Sequence, residues 1–494
     1  MICVKLEGHA FNNEIFDILK LFYPQGEIQF ADSSPDMFQG IFISSRLEKA
    51  GGILAVETLV RAGGKEHVEK GTLGPETDRH KKASWASAVK REIKRQLYIL
   101  LSRVTGREMP WGMLTGIRPA KIVHELLDLG WSKEEIFKKL KAYYLVSEEK
   151  ARMVYHVAGA EKAILDNSTP EMVGIYIGIP FCPTRCLYCS FTSNPISRSG
   201  GMVEEYLKAL RREVSRVAEI IKEKKLKIQS IYMGGGTPTS IDAGQLKELL
   251  DHIEASFDLS GLEEYTLEAG RPDSIDREKL EAIQSSRVDR ISINPQSMND
   301  RTLDLIGRSH SAEDIVEAYG LARGMGFGNI NMDLIAGLPG EDAQMFENTL
   351  KRIAELRPES LTVHTMSVKR ASRLNEEKGS FALTEAENAA VMVELAKGYA
   401  EAMGMHPYYL YRQKNILGNL ENVGYCREGF ESVYNVQIME ERQTILALGA
   451  GAITKVVYRD ENRIERAFNV KNVEQYIQRL DEMIERKRAL LYNG

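Results

Sequence analysis

From Gly174 onward the chain alternates short β-rich segments with amphipathic helical ones. The candidate strands are Ile175–Ile179, Ser230–Met233, Glu264–Leu267, Arg290–Ile293, Asn331–Ile335 and Ser360–Met366. Helical patterns between them cover Val203–Ile221, Gln245–Phe257, Ser311–Gly324 and Ala343–Leu356. In the first of these, Tyr206, Leu207, Leu210, Val214, Val217 and Ile221 recur on one helical face. Strands separated by helices imply a parallel sheet with right-handed crossovers. Six such units are too few to close a barrel of about eight. The expectation is therefore an α/β chain built on an open (β/α)6 partial barrel. In such sheets the chemistry collects at the carboxyl ends of the strands.

Upstream, residues 1–165 read as an α+β accessory domain. Ile2–Leu6 alternates like a strand, Asn13–Phe22 is helical, and Gly40–Ser44 and Gly52–Val60 are β-rich. Lys82–Val104 is an amphipathic helix whose polar face carries Lys90, Arg91, Lys94 and Arg95. That face reads first as solvated charge, and second as a stripe for RNA or another anion. Residues 166–375 form the barrel, and 376–494 a C-terminal domain expected to cover the substrate. After about Ser380 the strand–helix rhythm is lost; a helix around Glu385–Gly404 leads into an aromatic tail.

A net charge of −5 over 494 residues gives no whole-chain electrostatic footprint for nucleic acid. No apolar run approaches the roughly 18 residues of a membrane span. The N-terminus lacks a signal-peptide layout, and five cysteines, an odd number, do not read as a disulfide framework. The expected compartment is the cytoplasm, where thiols stay reduced.

Three of the five cysteines, Cys182, Cys186 and Cys189, sit on the first loop of the barrel, directly after its first strand. Thiolates this close can ligate three irons of a [4Fe–4S] cluster, which usually takes four cysteines. One iron would then stay open to a ligand from outside the protein, as at open catalytic metal sites. Two other readings remain at this point: a zinc loop completed by Cys426, or free thiols. After the second strand comes Gly234-Gly-Gly-Thr237, where glycines let backbone approach a ligand closely. Glu268 ends the third strand, Gln296 follows the fourth and Asp333 lies on the fifth, with Arg308 nearby. Each alone reads equally well as a satisfied structural group or as a ligand; together, at one end of one sheet, they read as a ligand set.

These residues resemble the radical S-adenosylmethionine (SAM) enzymes, and within them the oxygen-independent coproporphyrinogen III oxidase group, coproporphyrinogen dehydrogenase branch. The motifs are Tyr176-Ile-Gly-Ile-Pro-Phe-Cys182, the cysteine loop with Tyr188, the glycine run, Glu268, Pro295-Gln-Ser297, Gly307-Arg-Ser-His310 and Asp333-Leu-Ile-Ala-Gly-Leu-Pro-Gly340. The resemblance implies a [4Fe–4S] cluster on Cys182, Cys186 and Cys189. It implies SAM held near its methionine end by Tyr176, Gly235, Gly236 and Thr237, with Glu268, Gln296, Arg308 and Asp333 on its polar groups and Ala336 and Gly337 along the adenine. One-electron cleavage of the sulfonium would start oxidative decarboxylation of substrate propionates to vinyls, giving protoporphyrinogen IX in haem biosynthesis. The implied partner is a low-potential electron donor such as flavodoxin or ferredoxin. Arg271, Lys369, Arg370 and Arg412 are candidates, by position, for the propionates.

The chain departs from this pattern in four places. The family's further cysteine, one residue beyond the third, is missing after Cys189, where Ser190-Phe191 stands as in the related haem chaperones. Gly178 replaces a histidine, Pro272 lies four residues beyond Glu268 instead of three, and Tyr434-Asn435 occupies the chaperones' His-Asn position. A haem-binding chaperone and a radical SAM enzyme with another substrate are thus the alternatives.

Overall fold

The computed structural model describes residues 1–31, 40–50, 53–74, 85–116, 118–191, 193–369, 371–377, 381–413, 416–459, 461 and 463–492. The helix start expected at 82–84, the strand start at Gly52 and the candidate cation Arg370 lie outside them. The chain divides into two compact units, Met1–Tyr155 and His156–Gly494.

In the first unit, strands β1 (Ile2–Glu7), β2 (Ile28–Phe30), β3 (Ile41–Ala50), β4 (Ile53–Ala62) and β5 (Lys65–Leu73) form one sheet in the order β2-β1-β3-β4-β5. Ile2, Val4, Val56 and Val60 share a core with Ile15 and Leu19 of helix Asn12–Phe22 and with Ile93, Leu97 and Leu101 of helix Trp85–Thr105. The β4–β5 turn takes positive φ at both Gly63 and Gly64, the backbone that two-residue hairpins prefer. Periodicity does not reveal β5, Lys-Glu-His-Val-Glu-Lys-Gly-Thr-Leu, because its residues are mostly polar and its pairing with β4 defines it. Part of the basic helix face is engaged locally: Lys90 pairs with Glu14 at 2.5 Å, and Lys94 donates to Thr115.

The second unit contains β6 (Met172–Ile179), β7 (Phe181–Cys182), β8 (Asn194–Pro195), β9 (Lys227–Gly235), β10 (Glu264–Gly270), β11 (Arg290–Ile293), β12 (Ile330–Ala336) and β13 (Ser360–Thr365). Strands β6, β9, β10, β11, β12 and β13 lie side by side in that order, all parallel. These are the six strands the rhythm indicates, so the (β/α)6 expectation holds. The intervening helices also agree, as with Val203–Glu223, whose Tyr206, Leu210, Val214 and Val217 are buried.

The region after Ser380 is more ordered than an aromatic tail. Strands β14 (His406–Tyr411) and β15 (Asn422–Cys426) extend the sheet beyond β13, with β15 antiparallel to both neighbours. At the opposite edge β16 (Thr444–Leu448) pairs parallel with β6, followed by antiparallel β17 (Ile453–Tyr458) and β18 (Arg463–Phe468). Antiparallel neighbours need no intervening helix, so the 3.6-residue signal that marks the barrel is missing here.

One buried polar network fastens this extension. Glu213 accepts from Gly449 N (2.8 Å), Tyr476 Oη (2.6 Å), Asn469 Nδ2 (3.0 Å) and Lys487 Nζ (2.7 Å). Lys487 also donates to Asn469 Oδ1. Tyr206, tilted against Tyr476, donates to Gly178 O at the end of β6. Among the described residues, no helix is long and apolar enough to cross a membrane.

Candidate functional site

The cysteine loop leaves the carboxyl end of β6, and neighbouring loops clasp it on several sides. Gly236 N donates to Ile179 O and Thr237 N to Phe181 O, each at 2.7 Å. Leu187 N donates to Ile306 O, and Thr184 Oγ1 to Gly307 O. Arg271 Nη1 reaches Thr184 Oγ1 at 2.8 Å and approaches Cys186 Sγ at 3.8 Å, while its other edge binds Asp273 at 2.9 and 2.6 Å. A Cβ at Gly236 would stand 2.4 Å from Phe181 O and 3.0 Å from Cys182 Sγ, so only glycine permits this approach.

Cys182, Cys186 and Cys189 all line one cavity of about 360 Å³ at the strand carboxyl ends. Burial pushes the Cys182 thiol up, and the Cys189 thiol up to about 11. A cation bound by these sulfurs would have to displace their protons. Cys426 does not line the cavity; it is buried on β15 beside Tyr408 and Val436. The zinc reading that enlists it lacks this geometric support.

The same cavity gathers Gly235, Gly236, Thr237, Glu268, Gln296, Arg308 and Asp333. Tyr232 donates to Glu268 at 2.5 Å, yet burial, together with the nearby Asp333 charge, pushes Glu268 up to about 7. At Asp333 burial opposes ionisation. His364, 3.7 Å away, and a 2.7 Å bond from Asn331 Nδ2 hold it below the usual carboxylate range. Arg308 donates to Asn294 O and Tyr188 Oη; burial works against its charge, but Tyr188 and Cys186 keep its pKa raised. Gln296 has φ = +67°, rare for a residue with a side chain. Its backbone is fixed there between Asp333 O and Ile335 N.

Three buried polar atoms of this group, Gln296 Oε1, Asn294 Oδ1 and Arg308 Nε, have no hydrogen-bond partner in the protein. Unsatisfied buried groups are costly, and these three, side by side in one cavity, could be satisfied by a polar ligand.

Tyr176, Ala336 and Gly337 do not line the cavity. Tyr176 stacks beside it with Tyr232 and Tyr434, and the Tyr232–Tyr434 centroids are 4.5 Å apart. Ala336 is buried in β12, and Gly337 N donates to Met392 Sδ. Sequence reading missed Tyr232, His364, Tyr411 and Asn435, all of which line the cavity. His364 was findable, being a polar residue in the sixth apolar strand just as Asp333 is in the fifth. Arg271 also lines the cavity, whereas Arg412 donates to Asn419 O and Leu420 O and does not.

Comparison with known proteins agrees with this arrangement. The family pattern of the Radical SAM superfamily matches residues 176–353. The oxygen-independent coproporphyrinogen-III oxidase-like protein HemZ of Bacillus subtilis is 40% identical over 490 residues, covering 98% of this chain and 97% of that protein. Heme chaperone HemW of the same organism is 34% identical over 284 residues, 57% of this chain and 70% of its own. Among solved structures, the radical SAM enzyme coproporphyrinogen III oxidase (HemN) of Escherichia coli superposes with a TM-score of 0.52 at 23% identity, covering 66% of this chain and 73% of that one. This last likeness concerns the fold.

Proposed function

The chain belongs to the radical SAM superfamily, in its oxygen-independent coproporphyrinogen III oxidase-like group, and from that premise we propose that it converts coproporphyrinogen III to protoporphyrinogen IX without oxygen. For each propionate converted to a vinyl, a hydrogen atom, one electron and carbon dioxide leave the substrate.

The residues present fit the cofactors this requires. Three thiols and no fourth line the cavity, and the unpartnered Gln296 Oε1, Asn294 Oδ1 and Arg308 Nε border the same space. Cys182, Cys186 and Cys189 would hold the [4Fe–4S] cluster. Gly235, Gly236 and Thr237 would meet the methionine end of SAM, and Glu268, Gln296, Arg308 and Asp333 its polar groups. Tyr176, Ala336 and Gly337 would support that cradle from behind. When bound, the pair supplies reductive cleavage of a sulfonium and hence hydrogen abstraction.

The chain's own residues bind, orient and shield. Arg308 presents a cation held in place by Asn294 and Tyr188. Asp333, kept ionised, accepts hydrogen bonds, while Glu268 gains or loses its proton near neutrality. The stacked rings of Tyr176, Tyr232 and Tyr434 form an aromatic wall along one flank. The C-terminal segment 376–494 covers the substrate in this reading, and a low-potential flavodoxin or ferredoxin in the cytoplasm supplies electrons.

The observation that carries the proposal is the set of three convergent thiols beside unsatisfied buried polar atoms. Anaerobic incubation of reconstituted protein with SAM, dithionite and coproporphyrinogen III tests it. Monovinyl and divinyl products are expected; deoxyadenosine without porphyrinogen turnover would refute the substrate.

The similarity to HemW favours a second reading, haem carriage. Against it, the residue at the expected axial position, Tyr434, is buried, which drives its phenol pKa well up and keeps it neutral. Haem titration followed by gel filtration separates the two, since tight stoichiometric haem would favour the carrier.

A further inference from the structure

Four cationic side chains line the cavity among the described residues: Arg271, Arg290, Arg308 and Lys369. Three are already engaged by groups of the fold. Arg271 is bound by both oxygens of Asp273. Arg290, on β11, donates to Ser360 Oγ of β13 and to Phe430 O, each at 2.9 Å. Arg308 is anchored by Asn294 O and Tyr188 and stands with the unpartnered amides assigned to SAM.

Lys369 differs. Its ammonium donates to the neutral Gln413 Oε1 and forms no ion pair with a described carboxylate. Burial pushes its pKa down, and no nearby acid lifts it back. A partly desolvated ammonium without a counter-charge recovers stability by taking up an anion.

Its position is also fixed with respect to the cysteines. Lys369 O accepts from Ser372 N and Ser372 Oγ, which closes a turn after β13. That turn packs on the cysteine loop: Leu374 N donates to Leu187 O at 3.0 Å, and Arg185 Nη2 to Ala371 O at 2.7 Å. The cavity wall also includes Met366, Tyr409, Tyr411 and Met439. It thus sets an apolar, aromatic surface beside the Lys369 ammonium, complementary to a large apolar ring bearing carboxylates.

We propose that Lys369 forms the carboxylate subsite of this cavity and selects tetrapyrroles that carry propionates. This rests on the functional reading above. Lys369 is a specificity-determining residue here: it grips a substrate carboxylate and takes no part in the hydrogen abstraction.

The test uses anaerobically reconstituted full-length protein and two stable fluorescent probes, coproporphyrin III and its tetramethyl ester. Lys369→Gln is expected to weaken coproporphyrin binding roughly tenfold to a hundredfold, the range of one charge-assisted hydrogen bond. Ester binding should be unchanged, and Lys369→Arg should retain most of the coproporphyrin affinity. With coproporphyrinogen III, Lys369→Gln should raise KM much more than it lowers kcat. Equal coproporphyrin affinity in Lys369→Gln and the parent protein, with the cluster absorbance intact in both, would overturn the subsite and leave the functional reading standing. If the parent protein binds no coproporphyrin and turns over no coproporphyrinogen, that reading fails and the subsite falls with it.

Discussion

Two buried polar networks in the second unit make opposite use of the same kinds of residue. Around Glu213 every strong donor and acceptor is matched: Lys487, Asn469, Tyr476 and Gly449 N converge on one carboxylate. Around the cysteine loop Gln296, Asn294 and Arg308 keep polar atoms unmatched, Gln296 holds a positive φ, and Glu268 is left with a strongly raised pKa. The first arrangement is complete without a ligand, and it ties helix Leu480–Tyr492 to the first helix of the barrel. The second leaves three buried polar atoms without a partner in the protein. The two are alike in burial and charge; hydrogen-bond saturation is what differs between them.

The largest expected effect falls on the unsaturated side. Cys186→Ser should abolish cluster assembly, with iron and sulfide falling from about four each per chain to near zero. Circular dichroism should show the fold retained, because the sheet does not depend on that thiol. Next, Lys487→Met should cost about 3–5 kcal/mol in denaturant unfolding, since it strands the fully buried Glu213 charge. Pairing it with Glu213→Gln, which removes the stranded charge and keeps an acceptor for Tyr476 and Asn469, should recover much of that loss. Neither change should reduce the cluster content of the folded fraction. If Lys487→Met is neutral, the saturated network is not the fastening we describe.

Glu268→Gln should act in opposite directions on function and stability. It should weaken SAM binding roughly a hundredfold, read by equilibrium dialysis. In the ligand-free protein the Glu268 pKa stands raised to about 7. Between the ordinary carboxylate value and that figure the folded state binds more protons than the unfolded one, so stability falls as pH rises through the interval. The replacement should therefore stabilise the ligand-free protein at pH 8, by up to about 3 kcal/mol, and flatten this part of the pH profile. The smallest effect belongs to Tyr232→Phe. Without its hydrogen bond to Glu268 the carboxyl should titrate higher still, moving the stability slope toward alkaline pH at a cost of about 1 kcal/mol.

How much of this was legible beforehand follows from what each interaction leaves in the sequence. The six barrel strands were readable because each is an apolar run bounded by amphipathic helices, and the cysteine loop because its ligands are adjacent in the chain. Gln296 and Asp333 stood out as polar residues among apolar ones. The Tyr232–Tyr434 stack was not readable: its members are about 200 residues apart, and tyrosine in a β-rich segment signals nothing special. Strands β14 to β18 were hidden because pairing across the two sheet edges, rather than local periodicity, defines them. The Glu213–Lys487 pair was hidden for the same reason, being formed by two residues that each look like ordinary helix-surface charges.

The central claim is that three thiolates hold a cluster with one iron left for SAM. Electron paramagnetic resonance of the anaerobically reconstituted, dithionite-reduced protein, recorded with and without SAM, tests this most directly. The account predicts a reduced [4Fe–4S] signal whose g-values shift when SAM is added. A protein that takes up no iron and sulfide, or a reduced signal that SAM leaves unchanged, would contradict it.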